Sequence, residues 1–303
     1  MPDILTHILF AEGVKDLIDD SNVRQFIEDN EKLYNLGAQG PDILFYYKPW
    51  NPMGSGIRET GQKMHHVQTG KFFKDAVNQL NKMTGTDYEN FLVYILGFLC
   101  HYYCDKSAHP YVNSMVKDGC YTNDGKRKKL THYQIEATID TRLWNEEKRL
   151  TAARTNVAEL IRTEKIPEAV PDYLSKYIYE TQTFIISHAE IRKAVSNMHK
   201  VLDILFDPED RKKKIINRLP LPRKCYVDNE FEDVDVLNLA GRQWEKPGQE
   251  GKTYDSSVGE LLAGAIRDCA KTVNAIAGML ENGDELDLDK TIPNEDYGTG
   301  DAI

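Results

Sequence analysis

Cysteine is scarce in this sequence and forms no recognisable motif. The chain has five cysteines among 303 residues, an odd number, and no two of them make a C-x-x-C pair. This pattern excludes a dense disulfide framework and a dithiol redox motif, so we expect reduced thiols. Cys100 and Cys104, which lie in an apolar segment, are interpreted as core residues.

Long apolar runs are also lacking. The longest, residues 91–100, is far shorter than the roughly 20 residues that a helix needs to cross a bilayer, so no transmembrane segment is predicted. The first residues, MPDILTHILFAEG, have no basic start, long apolar stretch or small-residue cleavage site of the kind that a secretory signal requires. The sequence therefore predicts a cytoplasmic protein.

Positive charge is in deficit. The chain carries 38 Lys and Arg against 48 Asp and Glu, a formal charge of −10. Such a charge opposes long-range attraction to polyanions, so we expect no stable complex with nucleic acid. Chemistry on a phosphate group would therefore need local cations.

Alternating strand patterns are absent as well, whereas helical spacing of apolar residues runs through most of the chain. The sequence predicts an all-α fold. The segment NFLVYILGFLCHYY is apolar on nearly every side, which predicts a buried central helix, with Thr86 and Glu89 as its capping box. Further helices are expected to begin near Ser21, to cover LTHYQIEATIDTRLWNEEKRL, and to open at Ser257 with Glu260.

The domain organisation follows from the same pattern. Residues 206–255 are rich in charge, Pro and Gly, and we interpret them as a surface connection rather than a domain boundary. We expect a single multi-helical domain over residues 1–283 and an acidic, flexible tail over residues 284–303.

The strongest chemical signal is GFLCHYYCDKSAHPYV, in which His101, Asp105 and His109 follow one another at four-residue steps. On a helix each step turns about 40° and rises about 6 Å, so the three side chains share a face while the two histidines lie about 12 Å apart along the axis. Since zinc lies near 2 Å from its ligands, this spacing predicts two metals with Asp105 between them. Pro110 predicts that His109 lies at a frayed helix end.

A second pair at helical spacing, His132 and Glu136 in THYQIE, follows on the next predicted helix. Together with His109 it would form a His2Glu zinc site, which leaves a fourth position open for water. The site of His101 and Asp105 needs ligands from elsewhere. The candidates are Asp42, His65, His66 and His7.

Other interpretations of these residues remain open, because a single histidine is more often hydrogen-bonded or exposed than metal-bound. Asp42 follows Gly-Pro and could shape a turn, while His65 and His66 could be surface residues at the start of a helix. The pair of His132 and Glu136 could be exposed. Two further histidines have no carboxylate at ligand spacing and are interpreted as structural, namely His188 and His199.

Taken in order, the candidate ligands resemble the ligand series of the zinc-dependent phospholipase C family, which is related to the zinc nucleases. The resemblance covers about residues 1–140, and LNLAGRQWEKP with the helix after it is similar to the family's ending. It implies an all-α domain of the phospholipase C and zinc nuclease type, with a cluster of three zinc ions in a cleft, that hydrolyses phosphodiesters. For this chain we expect two or three zinc ions. The residues concerned are His7, Asp42, His65, His66, His101, Asp105, His109, His132 and Glu136.

The resemblance also implies roles. Asp105 would bridge two zinc ions, one of them held also by His101 and His65, while Asp42 would face the attacking water; Asp42 and Glu136 are the candidate catalytic residues. In secreted members an N-terminal tryptophan and a histidine hold a third zinc. Here His7 matches the histidine, but the sequence begins Met-Pro-Asp and offers only the secondary amine of Pro2.

Aromatic residues directly after Asp42 are candidates for contact with substrate, although they could equally cover the core: Phe45, Tyr46, Tyr47 and Trp50. Three functions are compatible with the whole pattern. The first is a hydrolase of phospholipid head groups or another small phosphodiester. The second is a single-strand nuclease or nucleotidase, for which the aromatic side chains could stack on bases. The third is a zinc-binding helical protein without turnover.

Overall fold

The computed structural model describes residues 4–149, 151–209, 211, 231–282 and 287–303. Within these residues the chain is mainly helical, so the predicted all-α fold is confirmed. The helices are α1 (Ile4–Lys15), α2 (Ser21–Asp29), α3 (Glu31–Gly37), α4 (Ser55–Met64), α5 (Thr69–Leu80), α6 (Gly85–Asp118), α7 (His132–Lys148), α8 (Val157–Ile161), α9 (Ala169–Gln182), α10 (His188–Leu205), α11 (Val258–Asn282) and α12 (Leu288–Thr291).

Short elements complete the described chain. Three 3₁₀ turns cover Gly40–Tyr46, Pro52–Gly54 and Ala152–Arg154. Two small antiparallel ribbons pair β1 (Cys120–Tyr121) with β2 (Arg127–Lys128), and β3 (Trp244–Glu245) with β4 (Thr253–Tyr254). The predicted surface connection over residues 206–255 falls partly outside the described residues.

Helix α6 lies at the centre of the molecule, as its all-round apolar surface predicted. It crosses α3 where Gly37 and Gly97 meet. A Cβ at residue 97 would lie 2.2 Å from the carbonyl oxygen of Tyr34, and one at residue 37 would lie 2.3 Å from that of Tyr94. Only glycine at both positions permits so close a crossing, which brings the loop after α3 against the polar face of α6.

Two local predictions for α6 are wrong. The helix begins at Gly85 after Thr84, whose side chain makes no capping hydrogen bond, instead of at the expected box of Thr86 and Glu89. It also runs through Pro110 to Asp118, so His109 lies inside a helix rather than at a frayed end. The surrounding helices hold this stretch in place, and burial outweighs the local preference of the residue before proline.

The starts of α2 and α11 lie at or next to the residues predicted from the sequence. Ser257 and Glu260 form the predicted capping box before α11, since the Ser257 hydroxyl accepts the Glu260 N–H and the Glu260 carboxylate accepts the Ser257 N–H. Near α2 the capping oxygen comes from Asp20 rather than Ser21. The four described cysteines are buried and free, as expected, and Cys225 lies outside the described residues.

The last described segment differs from the prediction. Residues 284–303 were expected to form a flexible acidic tail, and residues 284–286 lie outside the described part of the chain. Residues 287–303, however, pack on the helices: Ile292 and Tyr297 are 0% and 1% exposed. Burial of Ile292 and Tyr297 stabilises the packing of this acidic segment on the core. Among the described residues, no helix is long and apolar enough to span a membrane.

Candidate metal centre

The candidate ligands other than His66 converge on the middle part of α6 in three groups, in each of which the ligand atoms all lie within 4.8 Å of one another, and two of the groups share His101. We call His7, Asp42, His65, His101 and Asp105 the inner cluster, and His109, His132 and Glu136 the outer cluster. The groups are His7 with His101 and Asp105; Asp42 with His65 and His101; and His109 with His132 and Glu136.

Asp105 lies between the two clusters, as helical spacing predicted. Its Oδ2 atom is 3.2 Å from Nε2 of His101 and 3.8 Å from Nδ1 of His109. Its Oδ1 atom is 3.3 Å from Nε2 of His7, and Nε2 of His65 lies 3.8 Å from Oδ2. One carboxylate therefore faces four imidazoles.

Backbone carbonyls fix the tautomers of three of these histidines. Nδ1 of His65 donates to the Gly61 oxygen at 2.8 Å, and Nδ1 of His109 donates to the Tyr297 oxygen at 2.9 Å. Nδ1 of His101 donates to the Ala38 oxygen at 3.1 Å. Because a carbonyl can only accept, the proton is on Nδ1, and Nε2 of each neutral ring carries a lone pair. Metal-binding histidines typically donate their other ring N–H in this way, which fixes the orientation of the ring.

The inner cluster has unfilled bonding capacity that a cation would satisfy. Nε2 of His101 and both oxygens of Asp105 are buried and have no hydrogen-bond partner among the described residues. At 3.2 Å the lone pairs of the His101 nitrogen and the Asp105 oxygen face each other with no proton between them, which is repulsive without a positive ion. Two ligands about 2.0 Å from a tetrahedral zinc lie roughly 3.3 Å apart. The donor set and its spacing fit zinc.

Burial and charge set the protonation states that metal binding needs. Burial lowers the pKa of His101 and holds that of His109 well below its ordinary value, so both rings are neutral near pH 7. Burial alone would raise the pKa of Asp105, whereas positive charge on the imidazoles around it, His101 and His109 first, would hold it well below its usual range. His7 differs, because burial alone would lower its pKa but the neighbouring Cys104 and Asp105 hold it well above its ordinary value. This ring must therefore lose its proton before it can bind a metal.

The loop before Asp42 depends on one glycine. Gly40 has a φ of +52°, and a Cβ there would lie 2.3 Å from Cδ2 of His101. The absence of a side chain thus lets the 3₁₀ turn pass over the His101 ring and place Asp42 beside His65, with 3.3 Å between Oδ1 and Nε2. His65 itself is the C-cap residue directly after α4.

A buried carboxylate on α7 positions His7. Asp140 accepts the N–H of Leu5 and the N–H of Thr6, each at 2.8 Å, and also the Thr6 hydroxyl. These are free backbone donors at the start of α1, where a negative charge is favoured. Asp140 therefore anchors the turn of α1 that presents His7 to Asp105.

The outer cluster is built locally and is more open. A capping box of Thr131 and Gln134 starts α7, so that His132 and Glu136 project from its first turns toward His109. The rings of His109 and His132 are 5.7 Å apart, and Nε2 of His109 is 3.8 Å from Glu136. The side chain of His132 is 35% exposed, whereas that of Asp105 is 0% exposed.

The adjacent histidines His65 and His66 separate in the structure. His65 belongs to the inner cluster, whereas His66 is in none of the three groups and its Nδ1 lies 2.6 Å from Oδ2 of Asp296. His188, whose Nε2 lies 3.1 Å from Oδ1 of Asp172, and His199 also lie outside these groups. The Pro2 amine, considered as a ligand beside His7, falls outside the described residues.

The aromatic residues after Asp42 divide into two kinds. Tyr46 and Tyr47 are buried, and the Tyr47 hydroxyl donates to Glu190 on α10. Phe45 stacks on His65 with 6.0 Å between ring centroids, and Trp50 is 49% exposed. The burial of Tyr46 and Tyr47 corresponds to the core-covering alternative, whereas Phe45 and Trp50 remain available for contact with a ligand.

Sequence spacing did not reveal three residues that shape the site: Gly40, Asp140 and Tyr297. Gly40 and Asp140 stand near predicted ligands, but a turn glycine and a helical carboxylate are too common to signal such roles. Tyr297 lies 188 residues after His109, so no local pattern links them.

The sequence profile described as zinc dependent phospholipase C matches residues 6–200, a range that includes every member of both clusters. No curated protein and no solved structure matches the chain.

Proposed function

Because the chain belongs to the zinc-dependent phospholipase C family, we propose that it is a zinc-dependent phosphodiester hydrolase acting on phospholipid head groups or a related small phosphodiester. The observation that carries this proposal is the set of imidazoles whose Nδ1 atoms donate to carbonyls while their Nε2 lone pairs face buried carboxylates. Such a donor set, in a chain of this family, supports hydrolysis rather than a structural role alone.

In this proposal each cluster has a defined task. Asp42, His65, His101 and Asp105 would hold one zinc ion, and His109, His132 and Glu136 would hold another. His7 with Asp105 is the candidate for a third. Zinc supplies Lewis acidity, which polarises a phosphoryl oxygen and makes water a usable nucleophile near neutral pH.

The remaining chemistry would fall to side chains of this chain. Asp42 lies at the rim of the inner cluster, and its 11% exposed side chain could orient the attacking water and accept its proton. Glu136, the second candidate catalytic residue, belongs to the outer cluster, and the partly exposed His132 beside it leaves access for a substrate. The Phe45 ring, stacked on His65, would form part of the pocket wall, and Trp50 would contact an apolar part of the substrate.

The test uses the full chain, stripped of metal by a chelator and then reloaded with zinc. We expect hydrolysis of a chromogenic phosphorylcholine ester that disappears on chelation and returns with zinc. Elemental analysis of the protein purified without added metal should give two or three zinc ions per chain. Glu136→Ala should lose a zinc ion and the activity, while His199→Ala, a histidine outside the clusters, should keep both.

Two results would contradict the proposed activity. A zinc-loaded protein that hydrolyses no ester with any of several head groups is a zinc-binding protein without this activity. Preferential cleavage of a single-stranded oligonucleotide would assign it to the nuclease class instead, against the expectation from its charge of −10. The cytoplasmic location stays a prediction, which fractionation of the producing cell would check.

A further inference from the structure

The segment of residues 293–303, which we call the strap, contacts the metal centre although it lies outside the matched family region of residues 6–200. Its Tyr297 makes two main-chain hydrogen bonds there. The Tyr297 carbonyl accepts Nδ1–H of His109 at 2.9 Å, and the Tyr297 N–H donates to the carbonyl of His65 at 2.9 Å. One residue thus joins a histidine of the outer cluster to a histidine of the inner cluster.

The side chain of Tyr297 fills the space behind the same histidines. It is 1% exposed, and its ring centroid lies 5.1 Å from that of His65 and 5.9 Å from that of His101. These contacts limit the rotation of both imidazoles. Held rings keep their Nε2 atoms directed at the carboxylates, which lowers the entropy lost when a metal is bound.

Ion pairs hold the strap in place on both sides of Tyr297, one to α6 and one to the residue after β3. The Glu295 carboxylate lies 2.7 Å from the Lys106 amine on α6, and Asp301 lies 2.6 Å from the Lys246 amine. Further hydrogen bonds come from α5, where the Gly70 N–H donates to Asn294. The strap is therefore fixed at several points along its length.

A glycine of the strap, Gly300, packs against the part of α6 where Pro110 interrupts the helical hydrogen bonds. Pro110 has no N–H, so the carbonyl of Lys106 loses its usual partner four residues later in the helix. Gly300, with a φ of +65°, passes close to that carbonyl, and a Cβ at residue 300 would lie 2.5 Å from the Lys106 oxygen. Any larger residue at position 300 would lift this part of the strap from α6.

We propose that the strap is an integral part of the metal centre and that Tyr297 is its positioning residue. Tyr297 fixes the tautomer and orientation of His109 and ties His65 in place, so zinc affinity at both clusters depends on a segment outside the matched family region. The proposal requires that the clusters bind zinc, but it does not require any particular hydrolytic activity. Loss of such outer partners of a ligand typically weakens metal binding about 10- to 100-fold.

The test compares zinc affinities, measured by competition with a chromogenic chelator, in two variants of the full chain. Gly300→Ala introduces a Cβ against the Lys106 carbonyl, and the matched control, Gly85→Ala, introduces one at a φ of +64° where nothing lies within 4 Å. We expect zinc binding to weaken about 10- to 100-fold in Gly300→Ala and to stay within about twofold of the unaltered protein in Gly85→Ala.

A second measurement separates positioning from general stability. A chain ending at Ile292 should show the same loss of affinity, and a peptide of residues 293–303 added in trans should restore it. In the zinc-loaded protein, the low-field NMR signal of the His109 Nδ1 proton should disappear in the truncated chain and return with the peptide. Unchanged zinc affinity in a folded truncated chain, judged by circular dichroism, overturns the proposal. If that chain does not fold, unchanged affinity in Gly300→Ala overturns it.

Discussion

Asp105 belongs to the inner cluster and also faces His109 of the outer cluster, but different contacts hold the side chains of the two clusters in place. The inner cluster is buried, and its residues come from four separate segments, one of which is brought against α6 by the crossing of α3 and α6 at two glycines. The outer cluster takes two of its three members from one capped helix and keeps a partly exposed histidine. The difference indicates that core packing sets most of the inner geometry and local helix structure most of the outer one, while the strap contacts a histidine of each.

Asp105→Ala should have the largest effect, because it removes a carboxylate that faces imidazoles of both clusters. We expect zinc affinity at the inner cluster to fall by more than about 100-fold, beyond the usual loss for an outer partner. Elemental analysis after gel filtration checks the zinc content. Asp268→Ala, an exposed carboxylate on α11, should bind zinc normally. Equal losses in the two variants would contradict the central place of Asp105.

Gly40→Ala should have the second-largest effect, and that effect should fall on the inner cluster. The added Cβ meets the His101 ring at 2.3 Å, while the matched control Gly241→Ala has a φ of +60° and nothing within 4 Å. Both variants bear the cost of a left-handed alanine, about 1–2 kcal/mol. Gly40→Ala should lose about 1–3 kcal/mol more in free energy of unfolding, measured by urea denaturation without metal. A difference near zero would show that the loop can move away from His101.

His132→Ala should have a smaller effect on stability than Gly40→Ala and should act on the outer cluster alone. The side chain is partly exposed, and the capping box of Thr131 and Gln134 remains. We expect loss of one zinc ion per chain, with the free energy of unfolding of the metal-free protein changed by less than about 0.5 kcal/mol. Tyr133→Ala, the exposed neighbour, serves as control. Loss of all zinc would mean that the clusters do not bind independently.

Trp50→Ala should have the smallest effect. Trp50 is half-exposed and belongs to neither cluster, so zinc content should not change. If it contacts substrate, KM should rise roughly 2- to 10-fold, corresponding to an aromatic contact of about 0.5–1.5 kcal/mol, with little change in kcat. Steady-state kinetics on a phosphorylcholine ester measure both constants. An unchanged KM would remove Trp50 from the proposed pocket.

Much of the fold and of both clusters was predictable because their signals are local. The apolar surface of α6 and the four-residue spacings His101–Asp105–His109 and His132–Glu136 follow directly from helix geometry. These spacings were enough to predict more than one metal position and a central Asp105. The choice of His65 over His66 was left open, because it depends on where α4 ends and on the partner that Asp296 provides for His66.

The remaining features depend on contacts between distant segments. The predicted flexible tail contains Tyr297, whose contacts with His65 and His109 arise only in the folded chain. Its acidic composition indicated a solvated segment, yet pairing with Lys106 and Lys246 and burial of two apolar side chains hold it in place. Pro110 misled the prediction for His109 in the same way, because tertiary packing overrode a local preference.

The link from Asp140 to the start of α1 and the link from His109 to Tyr297 have a consequence for how the protein folds. They close loops of 134 and 188 residues around one site. Contacts of such long range form late and slow the search for the native state. A growing chain on the ribosome would thus display its ligand pairs on α6 and α7 well before Tyr297 is synthesised. High-affinity zinc capture would then mark the completion of folding rather than initiate it.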